Sequence, residues 1–236
     1  MRLVIGNFKM NLLEDEITDY IEFFKGKKLD NVIFSPPSIY LKEFVDSGFT
    51  TCSQDVSFAT SGAYTGDISA NMLKSIGVTY SIIGHSERRK YYGDSNLVND
   101  KLNRLLEEGI IPVICIGESK EERDNNKTNA VLKEEIDTVF KNIATNSLKS
   151  FIIAYEPIWS IGTGVIPTNN EIEETIGYIK KYIKDNYDNE LKVLYGGSVN
   201  NDCIDNLESI PNIDGYLVGG CSIKCDEFDK LIKNVG

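Results

Sequence analysis

Eight short segments rich in apolar or β-branched residues recur along the chain, and longer amphipathic segments lie between them. Most of the eight are continuously apolar, a pattern typical of strands that are buried on both faces of a parallel sheet. The predicted strands are residues 3–8, 32–34, 50–54, 80–83, 111–116, 151–155, 192–195 and 215–218. The chain is therefore predicted to alternate strands with helices, which is the pattern of an α/β fold.

The intervening segments show helical spacing of their apolar residues. Two such faces consist of Leu97, Leu102, Leu105 and Leu106, and of Val131, Ile136, Val139, Phe140 and Ile143. Residues with good capping side chains stand before two further segments. Ser38 precedes a predicted helix over residues 39–45, and Thr168 opens a long one over residues 169–186.

The length of 236 residues suits either two small domains or one barrel-sized domain. No Pro-, Gly- or Ser-rich linker interrupts the eight strand–helix units. We therefore expect a single closed (β/α)8 barrel domain over residues 1–236, with an open, doubly wound sheet as the alternative. In such a barrel the catalytic groups lie just after the C-terminal ends of the strands, because the loops that follow the strands converge there.

Charge and hydropathy exclude several classes of protein. The 25 Lys and Arg against 36 Asp and Glu give a formal charge of −11, which argues against a nucleic acid partner. The longest apolar run has five residues. Because a membrane helix needs about 20 apolar residues, we expect no membrane segment. The N-terminus lacks the features of a signal peptide, so we expect a cytoplasmic protein.

Cofactor and metal motifs are absent from the sequence. The five cysteines form no C-x-x-C pair, which fits reduced thiols better than a disulfide framework. His85 is the only histidine, and most zinc or non-haem iron sites need more imidazoles or clustered thiolates, so we expect no metal. Neither nucleotide-binding glycine motif occurs, so we expect no nucleotide cofactor.

Four residues with reactive or polar side chains follow the predicted strands. Asn7 and Lys9 come at the end of the first strand, His85 after the fourth and Glu156 after the sixth. Each one alone is weak evidence, because a charged residue at a strand end is more often a surface charge. Their joint placement at one face of the predicted barrel indicates an active site there.

Two glycine pairs follow the last two strands. Gly196 and Gly197 precede Ser198, and Gly219 and Gly220 precede Cys221. Barrels often bind phosphate at this place, because glycine lets backbone N–H groups approach the phosphate oxygens. The alternative is that these are tight turns that need a positive φ. This alternative would explain one glycine pair, but it explains two pairs at this place less well.

A third glycine-containing segment, residues 156–164, has an apolar middle and contains the only tryptophan, Trp159. We interpret this segment, the lid loop, as one that closes over a small substrate beside Glu156, excludes water and adds the Gly162 N–H to the phosphate ligands. The alternative interpretation is an ordinary packed loop.

These segments together resemble the triosephosphate isomerase family. The motifs are GNFKMN at residues 6–11, GHSERR at 84–89, AYEPIW at 154–159 and IGTG at 161–164, and both glycine turns match as well. Further similar stretches are GAYTGDISA at 62–70 and CIGE at 115–118, so the resemblance extends from the first strand to the last. It implies the TIM barrel fold.

The resemblance also implies a reaction and its residues. The reaction would interconvert dihydroxyacetone phosphate and D-glyceraldehyde 3-phosphate through an enediolate, without a cofactor. Glu156 would be the base, His85 would polarise the carbonyl as a neutral imidazole, and Lys9 would stabilise the oxyanion and the phosphate. Other substrate-binding groups would be Asn7 and the backbone N–H groups of Gly162, Ser198, Gly219 and Gly220.

A homodimer is implied by the same resemblance. Residues 62–70 correspond to the interface loop of the family, in which Thr65 would reach toward the active site of the neighbouring subunit. An irregular surface loop is the alternative.

Three departures from the family pattern lie near the site. Ser160 stands where Ala is common, residues 165–167 (Val-Ile-Pro) replace Lys-Thr-Ala, and Cys221 and Cys225 replace Ala and Pro. Pro167 restricts the second hinge of the lid loop. Cys221 would lie beside the phosphate turn, and we hypothesise that a thiol reagent inactivates the protein there.

Two other functions remain open on the sequence. One is a barrel that binds a phosphorylated metabolite without converting it, although such a module would not need both Glu156 and His85. The other is a different phosphate-handling lyase or isomerase, for example one with a Lys Schiff base, against which the lid motif counts.

Overall fold

The computed structural model describes residues 1–144, 151–163 and 165–236. Gly164 of the lid loop lies outside the described residues. The strands are β1 Leu3–Asn7, β2 Val32–Ser35, β3 Cys52–Ser53, β4 Tyr80–Ile83, β5 Ile111–Ile116, β6 Ile152–Tyr155, β7 Lys192–Tyr195 and β8 Gly215–Val218. Every predicted strand is confirmed. The largest difference is β3, which covers only two of the five residues predicted.

All strand pairs are parallel, and the spatial order is β2-β1-β8-β7-β6-β5-β4-β3. A bridge between Phe34 and Thr51 connects the two outermost strands and closes the sheet on itself. The predicted (β/α)8 barrel is therefore confirmed, and the open, doubly wound alternative is wrong.

Alternation along the strands separates two apolar layers. On β1, Ile5 points into the barrel, while Val4 packs outward against the helices. The interior layer contains Ile5, Ile33, Cys52, Ile82, Val113, Cys115, Ile152, Ala154, Leu194 and Leu217. An aromatic cluster fills part of the outer layer, and its rings include those of Phe8 and Tyr20, whose centroids are 4.7 Å apart. Because both faces of the strands are buried, they read as continuous apolar runs.

The helices surround the strands. They are α1 Glu14–Phe24, α2 Leu41–Asp46, α3 Ala70–Ser75, α4 Ser86–Tyr92, α5 Val98–Glu108, α6 Lys120–Asp124, α7 Thr128–Val139, α8 Asn169–Tyr187, α9 Ile204–Glu208 and α10 Cys225–Asn234. Among the described residues, none of these helices is both long and apolar enough to span a bilayer.

One of the two predicted helix starts is confirmed. The Thr168 hydroxyl accepts a hydrogen bond from the Glu171 N–H, and the Glu171 carboxylate accepts one from the Thr168 N–H. The start at Ser38 is wrong. A 3-10 turn over Ser38–Tyr40 precedes α2, because the Pro37 carbonyl accepts the Tyr40 N–H at 2.9 Å and closes a tighter turn.

Candidate active site

A cavity of about 270 Å³ opens at the C-terminal ends of the strands. The loops after β1, β4, β6, β7 and β8 all contribute to its wall. Every residue predicted for the site lines this one cavity, namely Asn7, Lys9, His85, Glu156, Gly162, Ser198, Gly219 and Gly220. Residues up to 213 positions apart in the sequence are thus brought together by the closure of the barrel.

Glu156 follows β6 directly and is 2% exposed. One carboxylate oxygen, Oε1, lies 3.1 Å from Nε2 of His85, and the other, Oε2, accepts the backbone N–H of Ser86 at 3.2 Å. Glycines allow the close packing around this side chain. A Cβ at Gly196 would lie 3.1 Å from Cγ of Glu156, and one at Gly117 would lie 1.7 Å from its carbonyl oxygen. The carboxylate is therefore fixed in a place that water reaches poorly.

His85 follows β4 and forms the N-cap of α4. Its Nδ1 accepts the backbone N–H of Glu87 at 3.2 Å. A ring nitrogen that accepts a hydrogen bond carries no proton, so the imidazole is neutral and its proton lies on Nε2. Nε2 lies 3.1 Å from Oε1 of the Glu156 carboxylate. His85 is thus a neutral hydrogen-bond donor beside a buried carboxylate.

Lys9 has a left-handed backbone, with φ of 52°. Such a conformation is unfavourable for a residue with a Cβ, and here two neighbours hold it in place. The Asn7 side chain accepts the Lys9 N–H at 3.0 Å, and the Gln54 amide donates to the Lys9 carbonyl at 2.8 Å. Asn7 therefore serves the backbone of Lys9 in addition to lining the cavity.

The Lys9 ammonium group bridges two parts of the cavity wall. Its Nζ lies 2.6 Å from Oε1 of Glu87, in the first turn of α4. A Cβ at Gly219 would lie 4.0 Å from the same Nζ. The cation thus lies next to the glycine turn after β8, close to the helix that carries His85.

The two glycine pairs are not turns of the left-handed type. Gly196, Gly197, Gly219 and Gly220, all within the described residues, have no φ in the positive region. The first pair is explained by packing, since a Cβ at Gly197 would lie 2.2 Å from the hydroxyl of Tyr195. The alternative that these glycines supply positive φ values is therefore wrong.

The second pair differs in what surrounds it. A Cβ at Gly220 would meet no heavy atom of the described residues within 4 Å, and one at Gly219 would meet only the end of the Lys9 side chain. Packing within the protein therefore does not require either glycine to lack a side chain. Their bare backbone faces a cavity that a cation borders, which is the arrangement expected of an anion site.

The start of the lid loop is anchored to a buried carboxylate. Ile158–Ser160 form a 3-10 turn, and the Trp159 Nε1–H donates to Oε1 of Glu118 at 3.1 Å. Glu118 is fully buried and also accepts from the Tyr155 hydroxyl and from Arg123. Further along the loop Gly162 is exposed and has φ of 68°. This loop is therefore held firmly at its first end and exposed at its tip.

Cys221 lines the cavity and is half-buried. Burial, followed by the nearby Glu227 carboxylate, raises the pKa of its thiol to about 11. Since the thiolate is the reactive form, this environment works against rapid modification at neutral pH. The hypothesis that a thiol reagent inactivates the protein through Cys221 stays a prediction.

Three residues of the site were not predicted as site residues, although two of them belong to the GHSERR motif. Ser86, Glu87 and Gln54 contact Glu156, Lys9 or His85, but their roles depend on which side chains the barrel brings beside them. Only their positions, after a strand or at a helix start, could have pointed to them.

Comparisons with known proteins agree with this geometry. The family model described as "Triosephosphate isomerase" matches residues 2–235. A protein of that name from Acetivibrio thermocellus is 37% identical, over 98% of this chain and 97% of the relative. The protein of the same name from Clostridium botulinum strain Langeland is 38% identical over 98% of each chain. The one from Mycoplasmopsis pulmonis is 41% identical over 98% of this chain and 96% of the relative.

Proposed function

Since the chain belongs to the triosephosphate isomerase family, we propose that the cavity at the C-terminal ends of the strands converts one triose phosphate into the other. The family comprises intramolecular aldose–ketose isomerases, and the reaction interconverts D-glyceraldehyde 3-phosphate and dihydroxyacetone phosphate in glycolysis and gluconeogenesis. It moves one proton between two neighbouring carbons and needs no external oxidant or reductant.

The proton transfer would use Glu156. Its carboxylate removes a proton from the carbon beside the carbonyl group, and the electron pair moves into an enediolate. The same carboxylate then returns the proton to the neighbouring carbon, while a second proton passes from the former hydroxyl oxygen to the former carbonyl oxygen. The buried position of Glu156 supports this assignment, because exclusion of water protects the reactive intermediate.

Stabilisation of the oxyanion would use His85 and Lys9. The neutral imidazole donates from Nε2 to the oxygen on which negative charge develops, and a donor fixed in advance costs little reorganisation. Lys9 adds a positive charge beside the same oxygens and near the phosphate. Asn7 fixes the backbone of Lys9 and adds a neutral hydrogen bond to the substrate.

The phosphate would be bound by backbone N–H groups of Gly162, Ser198, Gly219 and Gly220. The open surroundings of the second glycine pair and the nearby Lys9 ammonium group support this assignment. Local amides and one cation suffice for a dianion, so the net charge of −11 does not oppose such a substrate.

A single observation carries the proposal, the 3.1 Å contact between the His85 Nε2 donor and the Glu156 carboxylate inside this cavity. A barrel that only binds a phosphorylated metabolite would not need a base and an electrophile side by side. The test is an assay that supplies D-glyceraldehyde 3-phosphate and detects dihydroxyacetone phosphate. Glu156→Gln should lower kcat by at least about 100-fold, since a general base contributes roughly that much or more.

Glu121→Gln, in the exposed helix α6, is the matched control and should keep full activity. An inactive wild-type protein, or an active Glu156→Gln variant with an unchanged circular dichroism spectrum, would reject the proposal.

A homodimer is the second part of the proposal. A larger cavity of about 670 Å³ adjoins the first, shares Asn7, Lys9 and His85 with it, and is also lined by Gly66, Asp67 and Ile68. Exposed apolar side chains border it: Met10 is 96% exposed, and Tyr91 and Tyr92 are each 66% exposed. A second copy of the chain, placing its loop of residues 62–70 there, would cover this surface.

Sedimentation velocity tests the dimer. Thr65→Asp should shift the protein toward the monomer, because it buries an unpaired charge at the interface. Thr138→Asp, on the exposed face of α7, is the control and should leave the oligomeric state unchanged. A wild-type protein that sediments as a monomer at micromolar concentration would contradict the proposal.

We also propose that residues 1–236 form one domain and that the protein acts in the cytoplasm. One sheet spans the chain from β1 to β8 and supports the first point. Unfolding in urea should show one transition when followed by both circular dichroism and Trp159 fluorescence.

A further inference from the structure

Ser160 lies at the base of the lid loop, and its hydroxyl group touches two separate segments. The residue is fully buried. Its Oγ donates to the carbonyl of Val165 at 2.6 Å, which joins the two ends of the loop section that contains Gly162. The same Oγ accepts the backbone N–H of Ser198 at 3.4 Å. A third contact involves the backbone, because the Ser198 hydroxyl donates to the Ser160 carbonyl at 2.7 Å.

The contact with Ser198 concerns the proposed phosphate site directly. A backbone N–H has one hydrogen to donate. While it points at Oγ of Ser160, it cannot also make a full hydrogen bond to a phosphate oxygen. Binding of the phosphate through the Ser198 N–H therefore requires that this contact with Ser160 breaks. The contact is long and hence weak, so an anion can displace it at a modest cost.

We propose that Ser160 is a positioning residue that competes with the phosphate group of the substrate for the Ser198 N–H and thereby lowers the affinity of the site. The inference rests on the proposed function, because it takes the Ser198 N–H as a phosphate ligand. The Oγ bond to Val165 holds Ser160 in the competing position. An alanine at this position would leave the Ser198 N–H available to the anion.

Ser160→Ala isolates this effect. The substitution removes both hydrogen bonds of Oγ, together with its interaction with the neighbouring Tyr195 hydroxyl, and keeps the contact between the Ser160 carbonyl and the Ser198 hydroxyl. Val165 is 53% exposed and Ser160→Ala adds no atom to the core, so the variant should fold normally. The sequence offers a direct reporter, since Trp159 is the only tryptophan and is adjacent to Ser160.

Inorganic phosphate is the probe, titrated while Trp159 fluorescence is recorded and also used as a competitive inhibitor of isomerisation. The dissociation constant of Ser160→Ala should be about two- to tenfold lower than that of the wild type, as expected for one lost neutral hydrogen bond. The KM for D-glyceraldehyde 3-phosphate should fall in parallel, while kcat does not rise. An unchanged or higher dissociation constant would overturn the inference.

Thr163→Val is the matched control. The Thr163 hydroxyl lies in the same loop section, donates to the Trp159 carbonyl at 3.1 Å and accepts the Val165 N–H at 3.2 Å. It thus shares Val165 with Ser160 and also lies 3.3 Å from the Ser160 carbonyl oxygen, but none of its described hydrogen bonds involves Ser198. Its loss should change phosphate affinity by less than twofold. An equal gain in affinity for both variants would mean that loosening the loop is sufficient, and would overturn the role assigned to Ser160.

Failure of the proposed function and failure of the inference about Ser160 give different experimental results. Phosphate binding is measured without turnover, so tighter binding by Ser160→Ala in a protein with no isomerase activity would reject the reaction and keep the inference. A wild-type protein that isomerises triose phosphates with the same phosphate affinity as Ser160→Ala would keep the reaction and reject the inference.

Discussion

The two halves of the cavity are built from different parts of the chain. In the reactive half, side chains contact each other directly, as Glu156 and His85 do at 3.1 Å. In the half that we propose to bind the phosphate group, the phosphate half, two glycine turns line the wall, and a side chain at Gly220 would extend into open space. The reactive half therefore depends on which side chain is present, whereas the phosphate half depends on the lack of one.

The largest effect should come from the reactive half, with His85→Gln. We expect kcat to fall by about 100- to 10,000-fold, because the Nε2 donor at the developing oxyanion is lost. The inhibition constant of inorganic phosphate should change less than threefold, since the phosphate half is untouched. Steady-state kinetics with phosphate as inhibitor measures both quantities. If the inhibition constant of phosphate rose by as large a factor as kcat falls, the two halves would not act independently.

Gly220→Ala should affect the phosphate half and not the reactive half. The added methyl group meets no described atom within 4 Å, so the urea midpoint should not change, but it would occupy space at the anion. We expect KM to rise by about five- to 100-fold, which corresponds to the roughly 1–3 kcal/mol typical of steric overpacking. The control is Gly197→Ala, whose Cβ would lie 2.2 Å from the Tyr195 hydroxyl and should lower stability instead. A normal KM in a folded Gly220→Ala variant would contradict the phosphate assignment.

Cys221 tests the electrostatics at the edge of the phosphate half. With a pKa of about 11, its thiol is almost wholly protonated at pH 7, and the thiolate fraction grows as the pH rises toward 11. Alkylation at pH 7 should therefore be at least about tenfold slower than for a free cysteine. Mass spectrometry of iodoacetamide-treated protein, compared with Cys221→Ser, measures the rate. Rapid labelling at pH 7 would show that burial and the Glu227 carboxylate do not raise the pKa of this thiol.

The smallest effect should come from a position outside both halves. Asp188 ends α8 in the left-handed conformation, with φ of 48°, and its negative charge lies at the C-terminal end of the helix dipole. Asp188→Gly should stabilise the protein by about 0.5–1 kcal/mol and leave kcat and KM unchanged. Asp188→Ala removes the charge but keeps a Cβ in the left-handed region, so it should gain less. Chemical denaturation measures the stability of both variants. An alanine variant as stable as the glycine variant would show that the left-handed backbone at this position contributes nothing to the gain.

The barrel itself could be predicted from the sequence because parallel strands are buried on both faces. Continuous apolar runs such as Ile152–Tyr155 therefore stood out, and their number and spacing predicted eight strand–helix units. The start of α2 was not predictable in the same way. Pro37 closes a 3-10 turn there, which a capping pattern at Ser38 does not reveal.

The candidate site was predictable where a residue's position along a strand decides its place in the barrel. Glu156 follows β6 directly and His85 lies two residues after the end of β4, so both had to lie at the same rim. Contacts across the cavity were not predictable. Gln54, which follows β3, donates to the Lys9 carbonyl after β1, and the glycines after β7 are explained by a tyrosine ring and a carboxylate that only the folded chain brings beside them.

The first turn of α4 connects all three groups of the reactive half. The Ser86 N–H binds Glu156, the Glu87 N–H binds His85, and the Glu87 carboxylate binds Lys9. Substitutions in this half should consequently show strong epistasis, since a small displacement of one helical turn moves Glu156, His85 and Lys9 together. Variants with higher activity should then be found more readily by exchanging the whole turn than by changing its residues one at a time.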